Sequence, residues 1–296
     1  MKPRNASASM RLALYETGFL FSTALRANGF PYGALQSAVR MVQWAEIFHG
    51  VGLRFLDRQR RAVHGHDPKA IRIVADGPTG AAIDGGGQSA LLLGPGALDL
   101  ATAKADRNGI GVVTVTNLRD HLWLGQLAEQ AAKRSLLCCL AFQAMPESAE
   151  AADLRVLYSP GRSIVAIPDG PAPHWIELTS ASVAHDRLLR DGPDAPTDKL
   201  LQDVLAPADA PLPGFSMMLQ RLDATVLAET RELLLDAASR VGATVLDPEA
   251  VAALHKRALR DGFDVDPDDY YPLARYGLTT VIPSTEDSRA QAGADG

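Results

Sequence analysis

Hydrophobic positions recur at helical spacing towards both ends of the chain and in short, β-branched runs between them. Over 34–46, Leu35, Ala38, Val39, Val42 and Ala45 share one helical stripe. The segment before it, about 12–27, predicts another helix, closed by the turn signal at Asn28-Gly29. From Ile71 the texture changes. Residues 71–77 predict a strand entering a turn, and 91–96 a strand ending in a Gly-Pro-Gly turn. A helix is predicted over 94–109, stopped by Asn108-Gly109, and a buried strand over 110–117. A helix over 123–134 and strand-like runs over 135–142, 162–170 and 174–181 follow. The Pro-rich stretch 191–214 predicts a crossing loop. A long helix is predicted over about 216–241, and another from Pro248 with Asp247 as its cap. The acidic, aromatic segment 264–277 closes the folded part.

This alternation predicts an α/β (α+β) protein with a central sheet between helical N- and C-terminal layers. The expected organisation is a mobile tail over 1–10, a helical segment over 11–66 and a sheet-containing domain over 67–225. A C-terminal helical segment over 226–283, packed on the N-terminal layer, and a mobile tail over 284–296 complete it.

Composition narrows the function classes. The chain has 296 residues, 47% hydrophobic and 22% charged, with a formal charge of −6. Nucleic-acid binders gather Lys and Arg on one face. Here the dense basic stretch is Arg54–Arg61, interrupted by Asp57, and it reads as a solvated helix face. Neither nucleic acid nor membrane is an expected partner, because no run approaches the roughly 18 uncharged apolar residues of a membrane span. Glu16 interrupts the first apolar stretch, so a signal peptide is not indicated and the expected compartment is cytoplasmic. Cys138 and Cys139 are adjacent, and a strand would send them to opposite faces. They read as small buried hydrophobes.

The usual signatures of chemistry are incomplete. Gly94 and Gly96 are followed by Asp99 where a dinucleotide fingerprint needs its third glycine. His64 and His66 have no second ligand pair beside them, so no metal is expected. Three local constellations remain. The first is 48–58, where His49 and two glycines precede Arg54. An imidazole transfers protons near neutral pH, and a guanidinium holds a carboxylate by two bonds. The second is 116–132, where a strand ends at Asn117 and turns past Asp120 and His121 into a helix, the place where α/β folds bind ligands. The third is 175–188, which brings Glu177, Thr179, Ser180 and His185 to a strand end.

In this order the three pieces resemble the type-2 malate/L-lactate dehydrogenase family, which includes sulfolactate, ureidoglycolate and cyclic-imine carboxylate reductases. The centre of its Ser-His-Gly-Val motif is similar to His49-Gly50-Val51. Residues 83–117, with Asp84-Gly85 and Gly94, resemble its following stretch, and its Asp-Met-Ala-Thr-Ser motif is similar to Glu177–Ala181. The resemblance covers roughly 12–225. Departures are Phe48 for Ser, Leu53 where the family has Arg (Arg54 being one step late), Glu177 for Asp, and 213–218 without the family's Lys. His121 stands four residues after Asn117 instead of three.

The resemblance implies the non-Rossmann malate/lactate dehydrogenase type-2 fold with a central mixed sheet. It implies an oxidoreductase that moves hydride between NADH or NADPH and a small 2-oxo acid or cyclic imine carboxylate. His49 would relay the proton and Glu177 would orient it. Arg54 and His121 would bind substrate, and Asn117, Asp120, Thr179, Ser180 and Arg187 the cofactor. A homodimer is implied as well. The departures keep two alternatives open: a repurposed non-redox enzyme of isomerase or hydratase type, and a catalytically silent binding protein on the same scaffold.

Overall fold

The computed structural model describes residues 9–59, 66–119, 124–143, 161–193, 200–209 and 212–279. The C-terminal tail, residues 1–8 of the N-terminal one, Asp120 and His121 lie outside the described residues. In chain order the first elements are β1 (Met10–Leu12), α1 (Leu14–Ala27), α2 (Tyr32–His49) and α3 (Gly52–Gln59). Then come β2 (Arg72–Asp76), β3 (Gly80–Gln88), α4 (Ala90–Asn108), β4 (Ile110–Leu118), α5 (Gly125–Lys133) and β5 (Leu137–Gln143). The second half holds β6 (Gly161–Ile167), β7 (His174–Leu178), α6 (Val183–Asp191), α7 (Leu200–Asp203) and β8 (Gly214–Gln220). It ends with α8 (Ala224–Val241), β9 (Thr244–Leu246), α9 (Pro248–Asp261), β10 (Phe263–Val265) and α10 (Pro267–Leu278).

Eight strands form one mixed sheet in the order β2-β3-β4-β8-β5-β6-β7-β9. β3 and β4 run parallel, while β8 lies antiparallel to both β4 and β5. Side chains alternate across each strand, and this divides the core. Val113, Val115, Cys138, Leu140, Ile164, Trp175 and Met217 face the layer of α1 to α5. Val112, Cys139, Val165, Ile176 and Met218 face the opposite way, towards Ala184 and Leu188 of α6 and Leu234 of α8. The two cysteines thus point to opposite faces, both buried and unpaired as thiols. Burial raises both thiols, that of Cys139 to about 12, so neither is a reactive thiolate. At the chain ends β1 pairs with β10 and α1 packs on α10.

Two segments differ from the pattern-based expectation. Residues 216–220 belong to strand β8, not to the long helix. An apolar run buried on both faces has no period that separates helix from strand. Both neighbours supply backbone partners there, and α8 starts at Ala224, where the Asp223 carboxylate accepts the Thr225 and Val226 N–H groups. The expected strand and Gly-Pro-Gly turn at 91–96 is instead the first part of α4, capped by Ser89, whose hydroxyl accepts from Leu91 N–H. Gly94 serves packing: a Cβ there would press on Leu127 of α5 and Met41 of α2. Among the described residues no helix is long and apolar enough to cross a membrane.

Candidate active site

Helix α2 ends at His49 because Gly50 takes the left-handed conformation, φ 65°, and its N–H closes on Glu46 C=O. Glu46, buried, then turns its carboxylate to the start of α3, accepting Leu53 N–H at 2.9 Å. Burial raises the Glu46 carboxyl above its ordinary range despite that bond. This pair of turns fixes His49 against the sheet.

On the sheet side, the two-residue period places Trp175 and Glu177 on one face of β7. Glu177 pairs in register with Ile164 of β6, so Arg162, two residues earlier, emerges diagonally on the same face. Glu177 Oε1 forms an ion pair with Arg162 Nη1 and lies 3.8 Å from His49 Nε2. Glu177 Oε2 accepts the Trp175 indole N–H at 3.1 Å. Arg162 and Glu177 are both buried.

Aromatic rings wall the imidazole. Trp44 stacks on Phe48 with centroids 4.3 Å apart, and each stands 5.3 Å from Trp175. His49 meets Trp44 edge-on at 5.3 Å. Behind Phe48, His255 of α9 lies 3.1 Å from Glu129 Oε2, whose other oxygen accepts Lys133 Nζ. Trp44 is buried, and its indole N–H has no acceptor among the described residues.

Burial and the Arg162 charge push the His49 imidazole down to about 3, so it is neutral. The Glu177 carboxylate stands 3.8 Å from the ring, beyond hydrogen-bond reach, and is ion-paired with Arg162. The arrangement is an uncharged imidazole beside a buried Arg–Glu ion pair.

The other expected site residues occupy different surroundings. Arg54 donates to Asp269 Oδ2 at 3.1 Å, which turns it to α10. Asn117 has φ 54° and donates to Asp84 Oδ1 at 2.8 Å. That bond and the Gly86 N–H hold the Asp84 carboxyl below its ordinary range. Thr179 and Ser180 follow the end of β7, where Ser180 C=O accepts the Ser163 hydroxyl at 3.0 Å. Arg187 pairs with Asp203 at 2.6 Å. The register through Val115, Phe215, Phe142 and Arg162 aligns the C-terminal ends of β4, β5 and β7 along one sheet edge. Asn117 and Thr179 therefore lie on the same edge, four strand spacings or roughly 19 Å apart.

Arg162, Trp44 and Trp175 are absent from the sequence-based expectation. One signal was present: an Arg and a Glu, each the single charge within an apolar strand, need a partner when buried.

No protein-family model and no curated protein sequence matches the chain. Solved structures do. A malate dehydrogenase from Pyrococcus horikoshii OT3 superposes with a TM-score of 0.63 at 15% identity, over 94% of this chain and 97% of that one. Sulfolactate dehydrogenase from Methanocaldococcus jannaschii gives 0.63 at 17% identity, over 92% and 98%. Delta1-piperideine-2-carboxylate reductase from Pseudomonas syringae pvar. tomato gives 0.60 at 12%, over 90% and 99%. With its central mixed sheet and helical layers, this chain has the fold of the malate/lactate dehydrogenases that its motifs resemble.

Proposed function

We propose that the chain is an oxidoreductase that interconverts a small 2-hydroxy acid with its 2-oxo acid, or a cyclic amine carboxylate with its imine, using NAD(H) or NADP(H). The observation that carries this reading is His49, half-buried beside the Trp44 and Phe48 rings, with its Nε2 3.8 Å from Glu177 Oε1. A protein-held imidazole at that place moves the proton of the substrate hydroxyl or amine. The aromatic wall keeps water from the reacting carbon.

The nicotinamide, when bound, supplies or takes the hydride. Asn117, Thr179 and Ser180 would hold the dinucleotide along the sheet edge. The fold neighbours, described as dehydrogenases and a reductase, agree with this class of chemistry. The second copy in a homodimer would cover exposed apolar side chains such as Leu233 of α8 and Leu259 of α9. Light scattering should give twice the chain mass of 31.5 kDa.

Titration with NADH and NADPH, followed by sensitised nicotinamide fluorescence, tests the cofactor. Micromolar binding of either, then turnover in a screen of 2-oxo acids and cyclic imines, is the expected result. No binding up to millimolar cofactor would refute it. One observation favours a second reading. Arg54 is engaged by Asp269 instead of standing ready for a substrate carboxylate, which suits isomerase or hydratase chemistry driven by the same base.

A further inference from the structure

On the sheet face opposite His49, a cavity lies between the sheet and α6. It leaves about 10 Å³ to the centre of a water molecule, which is room for one. The residues that line it are all buried. Strand register builds its floor. Ala141 of β5 pairs with Ser163 of β6 on one side and with Ser216 of β8 on the other. The two hydroxyls therefore flank a single methyl group, on the face that carries Cys139 and Met218. Ser182, the N-cap of α6, and Val204, just after α7, line the cavity from the helical side.

The hydroxyl groups have defined roles. Ser163 donates to Ser180 C=O at 3.0 Å. His185 Nε2 faces Leu212 C=O at 3.1 Å and so carries the ring hydrogen, which leaves Nδ1 to accept the Ser216 hydroxyl at 2.9 Å. Ser163 and Ser216 have thus used their hydrogens and keep lone pairs. Ser182 is the converse. Its oxygen accepts His185 N–H at 3.3 Å, and its own hydrogen has no acceptor among the described residues. A buried O–H of this kind needs one.

We propose that this cavity is a binding site for one water molecule, which accepts the Ser182 O–H and donates to Ser163 Oγ and Ser216 Oγ. One donor and two acceptors are the complement of a water's two hydrogens and its lone pairs, and three bonds are usual for a buried water. An anion would face two sets of lone pairs with a single donor, and an apolar guest would leave the Ser182 hydrogen unmet. The water joins the start of α6 to β6 and β8, a connection that these three side chains do not make directly. The assignment is independent of the oxidoreductase reading, since neither His49 nor Glu177 lines the cavity.

The test is a crystal structure of the whole protein at a resolution that shows ordered waters, together with water–protein NOE measurements in solution. A single peak of density is expected in the cavity, within about 2.5–3.0 Å of the Ser163, Ser182 and Ser216 oxygens. In solution, a long-lived water should give cross-peaks to the Hβ protons of these serines. In Ser163→Ala, which takes away one acceptor, the peak should lose most of its density. An empty cavity, a peak out of reach of Ser182, or a crystal water with no counterpart in solution would overturn the proposal, as would full density in Ser163→Ala. Should that variant not fold, the wild-type density decides, because the proposal requires all three contacts there.

Discussion

Acid lability should be written into a second histidine, on the other face of the sheet. His185 sits in the first turn of α6 with no exposed surface. Its Nε2 lies 3.1 Å from Leu212 C=O, which can only accept, so Nε2 carries the hydrogen. Nδ1 then accepts the Ser216 hydroxyl at 2.9 Å. Burial lowers this imidazole to about 4, against smaller opposing effects of the Leu212 carbonyl and the Asp186 charge. The unfolded chain takes up a proton through the ordinary range around 6.5, while the folded one does not until near 4. Stability held above pH 6.5 is therefore lost as the pH falls, and the loss levels off below the folded value. Each pH unit in that window costs about 1.4 kcal/mol, so at pH 5 the loss from His185 is about 2 kcal/mol. For a domain of this size that is a fall of roughly 4–8 °C in Tm. The assay is thermal or urea unfolding at pH 7.5 and pH 5 for the wild type and His185→Gln. The wild type should lose about 2 kcal/mol more than the variant over that interval. Protonation of Glu46, whose carboxyl is raised, acts with the opposite sign but equally in both proteins and so cancels. Parallel profiles would show that His185 is charged or solvated in the folded state and would refute the argument.

Further outcomes follow from the same geometry. His49→Ala should lower turnover by about 10²–10⁴-fold with the fold retained, and turnover near the wild type would remove His49 from proton transfer. Gly125→Ala places a methyl group against the buried Trp44 indole. Overpacking of this kind costs about 1–3 kcal/mol, read by urea unfolding, with a shifted tryptophan emission as the local signature. Glu46→Ala leaves the first N–H groups of α3 without their buried acceptor, and unfolding should show a loss of about 1–3 kcal/mol. An unchanged urea midpoint in that variant would mean water replaces the carboxylate.

The fold was legible where the chain speaks locally. The helical stripe from Leu35 to Ala45, the strand 110–117 and the Asp247 cap are all found in place, the last as a carboxylate accepting Ala250 N–H at 2.7 Å. Residues 216–220 were not legible, because an apolar run buried on both faces looks the same in either period. Only the edges of β4 and β5, far away in sequence, decide it. In the candidate site, the family resemblance points to His49 and Glu177, which the structure places 3.8 Å apart. The partner of Glu177 could not be singled out, since Arg162 meets it through strand register rather than sequence spacing. For the same reason Arg54 looked available, while its carboxylate, Asp269, lies in a helix at the far end of the chain.

The place of β8 has a consequence for how the chain is made. Without β8 the sheet is two separate pieces, β2-β3-β4 and β5-β6-β7-β9, each with an open edge. The strand that joins them pairs Ile110 with Gln220 and Leu137 with the same residue, so both pairings wait for the distant strand to be synthesised. Contacts of such sequence separation form late and slow folding. During that interval the bare edges of β4 and β5, rich in Val, Leu and Cys, are open to each other and to other copies. A chain cut before Gly214 should be an aggregating fragment, and low temperature or a chaperone during synthesis should raise the yield of the whole protein.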